Sequence, residues 1–200
     1  MAQHNLLTKD TIISFDIETT GLVGGVHSMI SLGAVAYRNG KEVSHFYGCL
    51  KEWDGSERDE DTMLFWQRNR TEWDGIRKAS QPPEKVIGEF ITWVEALEAP
   101  RTLAAWPATF DSAFLFFYLY KFGGANVVNR LFKQYRVLDI RSFISAIFAV
   151  PYSEAERRIL PEEWKENLPY THNALADARQ QGVTLMNVLK ASVGELEIGA

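Results

Sequence analysis

The sequence predicts a mixed α/β fold in layers on a five-stranded sheet, and three observations carry that prediction. Three apolar, strand-like stretches follow one another before residue 50, and the last two are joined at Asn39-Gly40, a strong two-residue hairpin signal. From about residue 60 helical patterns alternate with two short strands, an order that lays helices on a sheet and lets the later strands run parallel to the first. No repeat, low-complexity tract or linker divides the 200 residues, so one domain is expected, with its core at about 11–190.

The first strand lies in "TIISFDIETTGL" (11–22), where Ile12, Ile13, Phe15 and Ile17 read as one buried run. "GLVGG" turns the chain, and "SMISLGAVAYRNGKEVSHFYGCL" (28–50) holds the hairpin, so the first three strands form an antiparallel meander. "DEDTMLFWQRNRTEWDGIRKA" (59–79) has helical composition with an acidic start. In 82–97 the apolar Val86, Ile87, Phe90, Ile91, Val94 and Leu97 have amphipathic helical spacing behind Pro83, a residue suited to a first helical turn. "RTLAAW" (101–106) is a short strand closed by Pro107, and 110–124 is a largely buried helix ended by glycines. "YRVLDI" (135–140) is the fifth strand, followed by a helix in 141–150, an irregular stretch at 151–170 and a last helix at 174–192.

Hydrophobic residues make up 46% of the chain and charged ones 24%, the balance of a packed core. The formal net charge of −5 argues against a protein that coats long nucleic acid through many phosphate contacts, but not against one that grips a few terminal nucleotides. A single cysteine, Cys49, excludes an internal disulfide and fits a reducing compartment. No basic-then-apolar leader is read at the N-terminus, and "AFLFFYLY" (113–120) is far too short to span a bilayer. A cytoplasmic protein with no membrane partner is the expectation.

Asp16 and Glu18 stand two apart at the end of the first strand, so they share a face at the strand's carboxyl end, where open α/β sheets place ligands. Alone, the pair reads as a solvated strand end. Asp111 follows Phe110 at the start of an apolar helix, where an acidic residue also complements the helix dipole. His172 precedes Asp177 by five residues at the entry to the last helix, where Asn173 is a plain N-cap candidate. Taken together, the four carboxylates fall where elements around the first strand converge. Carboxylate oxygens are the hard ligands that Mg²⁺ and Mn²⁺ prefer, and two such ions can drive phosphodiester hydrolysis. Metal is therefore the positive partner that lets Asp16 and Glu18 sit together.

The ordered set "FDIETTGL", "ATFDSAF" and "HNALADA" resembles the DEDDh branch of the DnaQ-like 3′–5′ exonucleases, and the run "DEDTMLFWQ" followed by a second helix is similar to small phage and bacterial exoribonuclease-like members. The sister branch carries a tyrosine four residues before the last aspartate, where this chain has Asn173. The resemblance implies a three-layer RNase H-like fold and release of nucleoside 5′-monophosphates from single-stranded RNA or DNA 3′ ends. It implies that Asp16, Glu18 and Asp177 hold one ion, that Asp16 bridges to a second, and that Asp111 supports the second ion. His172 is then the general base, since imidazole titrates close to neutral pH. Thr19, Gly21 and Leu22 would meet the terminal nucleotide through backbone N–H groups and an apolar wedge, beside Phe110. A homodimer is implied for assembly. Many relatives carry an asparagine shortly before the second motif, where this chain has Trp106 and Pro107.

Among Phe65, Trp66 and Trp73, most rings at such positions are core. Trp66 is the choice for stacking the terminal base. Arg68, Arg70 and Arg77 read as a solvated face, and Asp139 as a strand-end or helix-start residue. A non-catalytic binding module of the same fold is the alternative function, but such copies usually lose a carboxylate or the histidine and this chain keeps all five. An aspartyl-phosphate phosphatase ranks last, because Glu18 stands where that chemistry needs an aspartate.

Overall fold

In the computed structural model, which describes residues 9–165, 172–194 and 196, strand β1 (Thr11–Thr19) is the centre of the sheet. It pairs antiparallel with β2 (Met29–Arg38), which pairs antiparallel with β3 (Lys41–Cys49) across the predicted hairpin. Asn39 and Gly40 take φ of 53° and 70°, the left-handed pair that a two-residue turn of this hand requires. On its other side β1 runs parallel to β4 (Arg101–Ala105), and β4 to β5 (Val137–Asp139), giving the order β3-β2-β1-β4-β5. This is the mixed five-stranded sheet expected from the sequence.

Residues alternate along β1. Ile13, Phe15 and Ile17 face one layer, formed by α3 (Pro83–Ala96), α4 (Ala108–Gly123) and α5 (Val127–Leu131). Ile12 lies on the opposite layer with α6 (Ile140–Phe148) and α7 (Ala174–Ser192). A smaller cluster joins Ile30 and Cys49 to Trp66, Trp73 and Ile76 of α1 (Glu60–Arg68) and α2 (Arg70–Ala79).

The helical stretch at 59–79 is two helices rather than one. Asn69 leaves helical geometry (φ −110°, ψ 50°), and both its backbone N–H and its side-chain amide donate to the Phe65 carbonyl, ending α1. The short α5 carries no periodic signal long enough to have been predicted. The irregular stretch resolves into three single 3₁₀ turns (Tyr152–Glu154, Arg157–Ile159 and Glu162–Trp164), and 166–171 lies outside the described residues. Among the described residues, no helix is long and apolar enough to cross a membrane.

Candidate active site

The pairing of β1 with β4 ends at Ser14 opposite Ala104, while β1 continues five residues further alongside β2. That leaves the distal edge of β1 open on the β4 side. The first turn of α4 occupies the gap, and the Asp111 carboxylate accepts the Ile17 backbone N–H. Asp139 holds α4 there. One of its carboxylate oxygens accepts the N–H of Ala108 at 2.9 Å, and the other caps α6 through Ser142. The strand-end reading of Asp139 is right, and it serves two helices at once.

The last helix reaches the same strand end from the other face. Gly33 stands opposite Asp16 in the β1–β2 register, and a β-carbon there would lie 2.2 Å from the backbone of Ala174 and Leu175. Only glycine lets the first turn of α7 come so close to the sheet. Asn173 caps that turn through the N–H groups of Leu175 and Ala176. Asp177 is the fourth residue of α7, as Asp111 is the fourth residue of α4, so two helix starts each aim a carboxylate at the tip of β1.

The result is a buried acidic cluster. Asp177 is 1% exposed, Asp111 4% and Asp16 9%, and Glu18 is half-buried. Asp16, Glu18 and Asp177 each offer an oxygen within 4.8 Å of the others. Asp111 stands outside that trio but acts on it electrostatically. Burial above all, then the charges of Asp111, Glu18 and Asp177, hold the Asp16 carboxyl well above the usual range. Burial followed by Asp177 and Asp111 pushes Glu18 up to about 8, and burial pushes Asp111 up to about 7. Among the described residues, no ion pair involves Asp16, Glu18 or Asp111. Among the described residues the one side chain compensating Asp16 is Gln181, whose amide nitrogen donates to its Oδ1 at 2.7 Å. All-oxygen donors, closely gathered and short of positive charge, fit a hard divalent cation.

Beside the cluster opens a cleft of about 400 Å³ whose wall includes Glu18, Thr19, Leu22, Phe65, Trp66 and Phe110. Leu22 is 67% exposed at its lip. The Thr19 hydroxyl is spent on the Gly21 carbonyl at 2.7 Å, and Gly21 is required because a β-carbon would strike the His27 ring. His172 has left-handed backbone (φ 50°), and its ring meets Phe65 edge-on with centroids 4.8 Å apart.

The stacking role expected of Trp66 is not what the structure shows. Its ring is 2% exposed, packed against Trp73, and its indole N–H donates to the Thr19 carbonyl at 2.8 Å. A ring used to anchor the end of β1 has no face left for a base. The half-buried neighbour Phe65 is the ring of α1 presented to the cleft. Sequence reasoning also missed Gln181, although it lies four residues after Asp177, on the same side of a helix. Arg179 pairs with Glu42 on β3, and Arg77 with Glu52.

A mixed sheet with carboxylates at the tip of its central strand and at two helix starts is the build of the RNase H-like exonucleases. The chain belongs to the family described as the 3′–5′ exoribonuclease Rv2179c-like domain, which matches residues 11–189. It is 26% identical over 182 residues to the Escherichia coli 3′–5′ DNA exonuclease Cap18, across 86% of this chain and 88% of that one. Similar folds include the nuclease domain of 3′hExo, a DEDDh family member bound to rAMP (TM-score 0.65, 15% identity, 96% of this chain and 97% of that one). The S. pombe Pop2p in its Mg²⁺- and Mn²⁺-bound form has a TM-score of 0.68 at 12% identity, covering 93% of this chain and 85% of that one. The zinc-bound E. coli ExoI–ssDNA complex also gives 0.68, at 13% identity over 92% of this chain; this chain spans only 41% of ExoI. Family and fold support nuclease activity.

Proposed function

We propose that the protein is a divalent-metal-dependent 3′–5′ exonuclease of the DEDDh type, acting on single-stranded RNA or DNA 3′ ends and releasing nucleoside 5′-monophosphates. The observation that carries this reading is the trio of carboxylate oxygens within 4.8 Å of one another beside a cleft walled by Leu22, Phe65 and Phe110. Asp16, Glu18 and Asp177 would hold one Mg²⁺ or Mn²⁺, and Asp16 with Asp111 a second. Bound there, such a pair activates water and stabilises the oxygen that leaves phosphorus.

The chain's own groups do the rest. Leu22 and the rings of Phe65 and Phe110 hold the terminal base, since stacking on aromatics tolerates any base. No hydrogen bond among the described residues uses the N–H of Gly21 or Leu22, which leaves both for the nucleotide. Thr19 shapes that turn, and Trp66 fixes it from below. His172, at the entrance of α7, takes the proton from the attacking water. A homodimer in the cytoplasm completes the reading, on the family resemblance and the single cysteine.

The test is a 5′-labelled single-stranded oligonucleotide incubated with Mn²⁺, with chelator, and with the Asp16→Asn variant. Stepwise shortening from the 3′ end with 5′-mononucleotide products, lost on chelation and in the variant, is expected. No release from the wild type with metal, or equal release by the variant, would leave only the binding module.

A further inference from the structure

The end of the sheet opposite the carboxylates carries the reverse charge. β4 and β5 run parallel to β1, so their first residues lie away from the acidic cluster. A pocket of about 320 Å³ opens there, lined by Arg101 at the start of β4, Arg136 just before β5, and Arg130 and Lys133, with Pro100 and Leu131 among its walls. No acidic residue lines it among the described residues. Four cationic side chains thus meet in one place, in a chain whose net charge is −5.

Two of these cations are already engaged. Arg101 donates to the carbonyls of Glu95 and Leu97 at the end of α3, and Arg130 pairs with Glu95 at 3.2 Å. Lys133 and Arg136 are not: among the described residues, neither side chain enters a hydrogen bond or an ion pair. The chain between them is held in an unfavourable shape. Gln134 and Tyr135 both take left-handed backbone, with φ of 58° and 54°. The Gln134 N–H donates to Asn129 Oδ1 and the Tyr135 N–H to the Phe132 carbonyl, which fixes the turn against the end of α5. That turn brings Lys133 and Arg136 to one pocket and leaves Tyr135 58% exposed, its ring edge-on to Phe116 of α4. Non-glycine residues hold such a conformation only where their surroundings impose it, and strain of this kind gathers at ligand sites. Uncommitted cations beside an exposed ring are how proteins hold single-stranded nucleic acid without reading its sequence, cation to phosphate and ring to base. An acidic protein segment would satisfy the cations but give Tyr135 no use.

We infer that this pocket binds backbone phosphates of the single-stranded substrate several nucleotides away from the reacting end, with Tyr135 stacking a base beside it. The inference rests on the exonuclease reading above. Thr11 stands opposite Arg101, and the carboxylates lie further along the same strand at Asp16 and Glu18, so at about 3.3 Å per residue the pocket is about 20 Å from them. A strand of very few nucleotides held by its 3′ end does not reach that far, and a longer one does. The protein then grips its substrate at two separated points, which suits a chain too acidic to coat nucleic acid throughout. Phosphate and stacking are common to RNA and DNA, so the pocket favours long strands over short ones of either kind.

The test compares release of the terminal nucleotide with Mn²⁺ from 5′-labelled, unstructured ribo and deoxy strands of about three and about sixteen nucleotides. Wild type should have the lower KM on the long strand, and the double variant Lys133→Gln/Arg136→Gln should lose about tenfold of that advantage, through KM rather than kcat. Anisotropy of the labelled long strand in chelator should show the variant's binding falling less steeply with salt, by about 1.4 in the log–log slope for two phosphate contacts. Equal KM for long and short strands, an advantage retained in the variant, or an unchanged salt slope would each overturn the inference while leaving the exonuclease intact. A peptide of aspartate and glutamate that depends on Lys133 and Arg136, where the long strand does not, would assign the pocket to an acidic protein partner instead. No release from any strand with metal present would overturn the exonuclease reading, and with it the pocket's role as part of an exonuclease substrate site.

Discussion

Glu52 and Glu18 are held in opposite ways. Glu52 accepts both oxygens' worth of bonds from Arg58, at 2.8 and 2.6 Å, and a third from Arg77 at 2.8 Å, and these guanidiniums hold its pKa below the ordinary value. Glu42 is lowered in the same manner, chiefly by its two hydrogen bonds from Arg179. Glu18, by contrast, is half-buried among Asp16, Asp111 and Asp177, and is pushed up to about 8. The arginine-paired carboxylates are complete as the chain folds. The clustered ones are not, because burial and like charge together favour protons until a cation arrives. The comparison separates charge that serves stability from charge that is kept at the expense of stability.

Removing one charge from the cluster should break the comparison most sharply. Asp16→Asn keeps an acceptor for Gln181 but weakens the cation site, so mononucleotide release with Mn²⁺ should fall on the order of 10³-fold or more. The same variant should melt higher than wild type in chelator, since like charges no longer oppose one another, and a lower melting temperature would contradict the electrostatic account. Next is the packing that imposes the cluster. Gly33→Ala drives a methyl group into the Ala174–Leu175 backbone, which should cost about 1–3 kcal/mol in denaturant unfolding and lower the rate by moving Asp177.

The third effect is on pH. Glu18 and Asp111 bind protons more tightly folded than unfolded, their ordinary values of 4.5 and 3.8 rising to about 8 and about 7. The folded state therefore holds more protons between those values, and metal-free stability falls as pH rises through about 7 to 8. Glu42 and Glu52 have the reverse sign: their contribution is present above the ordinary glutamate range and is lost as pH falls through their lowered values. Melting curves at pH 6 and pH 8.5, with and without Mg²⁺, should show the larger metal-induced rise at the higher pH. The smallest effect belongs to the paired side. Glu52→Gln should cost no more than about 1 kcal/mol and leave exonuclease rates unchanged, because Glu52 lies outside both the cleft and the cluster.

The strands, the Asn39-Gly40 hairpin and the amphipathic α3 were legible because each is written in local periodicity or turn chemistry. The acidic residues that gather at the tip of β1 could be picked out for a different reason: their types, order and positions at element starts resemble one family's motifs. Trp66 and Phe65 show where such reading ends. They are adjacent in a helix of mixed apolar pattern, and nothing local says which of the two rings turns inward to meet the Thr19 carbonyl and which faces the cleft.

The sequence alone determined the five strands, most of the helices and which side chains can ligate a cation, because backbone preference and ligand chemistry are properties of residues and their near neighbours. Tertiary structure alone decided that α7 lies against Gly33, that Asp139 serves two helices, and that Gln181 touches Asp16 across 165 positions of chain. Those contacts depend on which faces meet when layers pack, and close packing is settled only by the whole molecule at once.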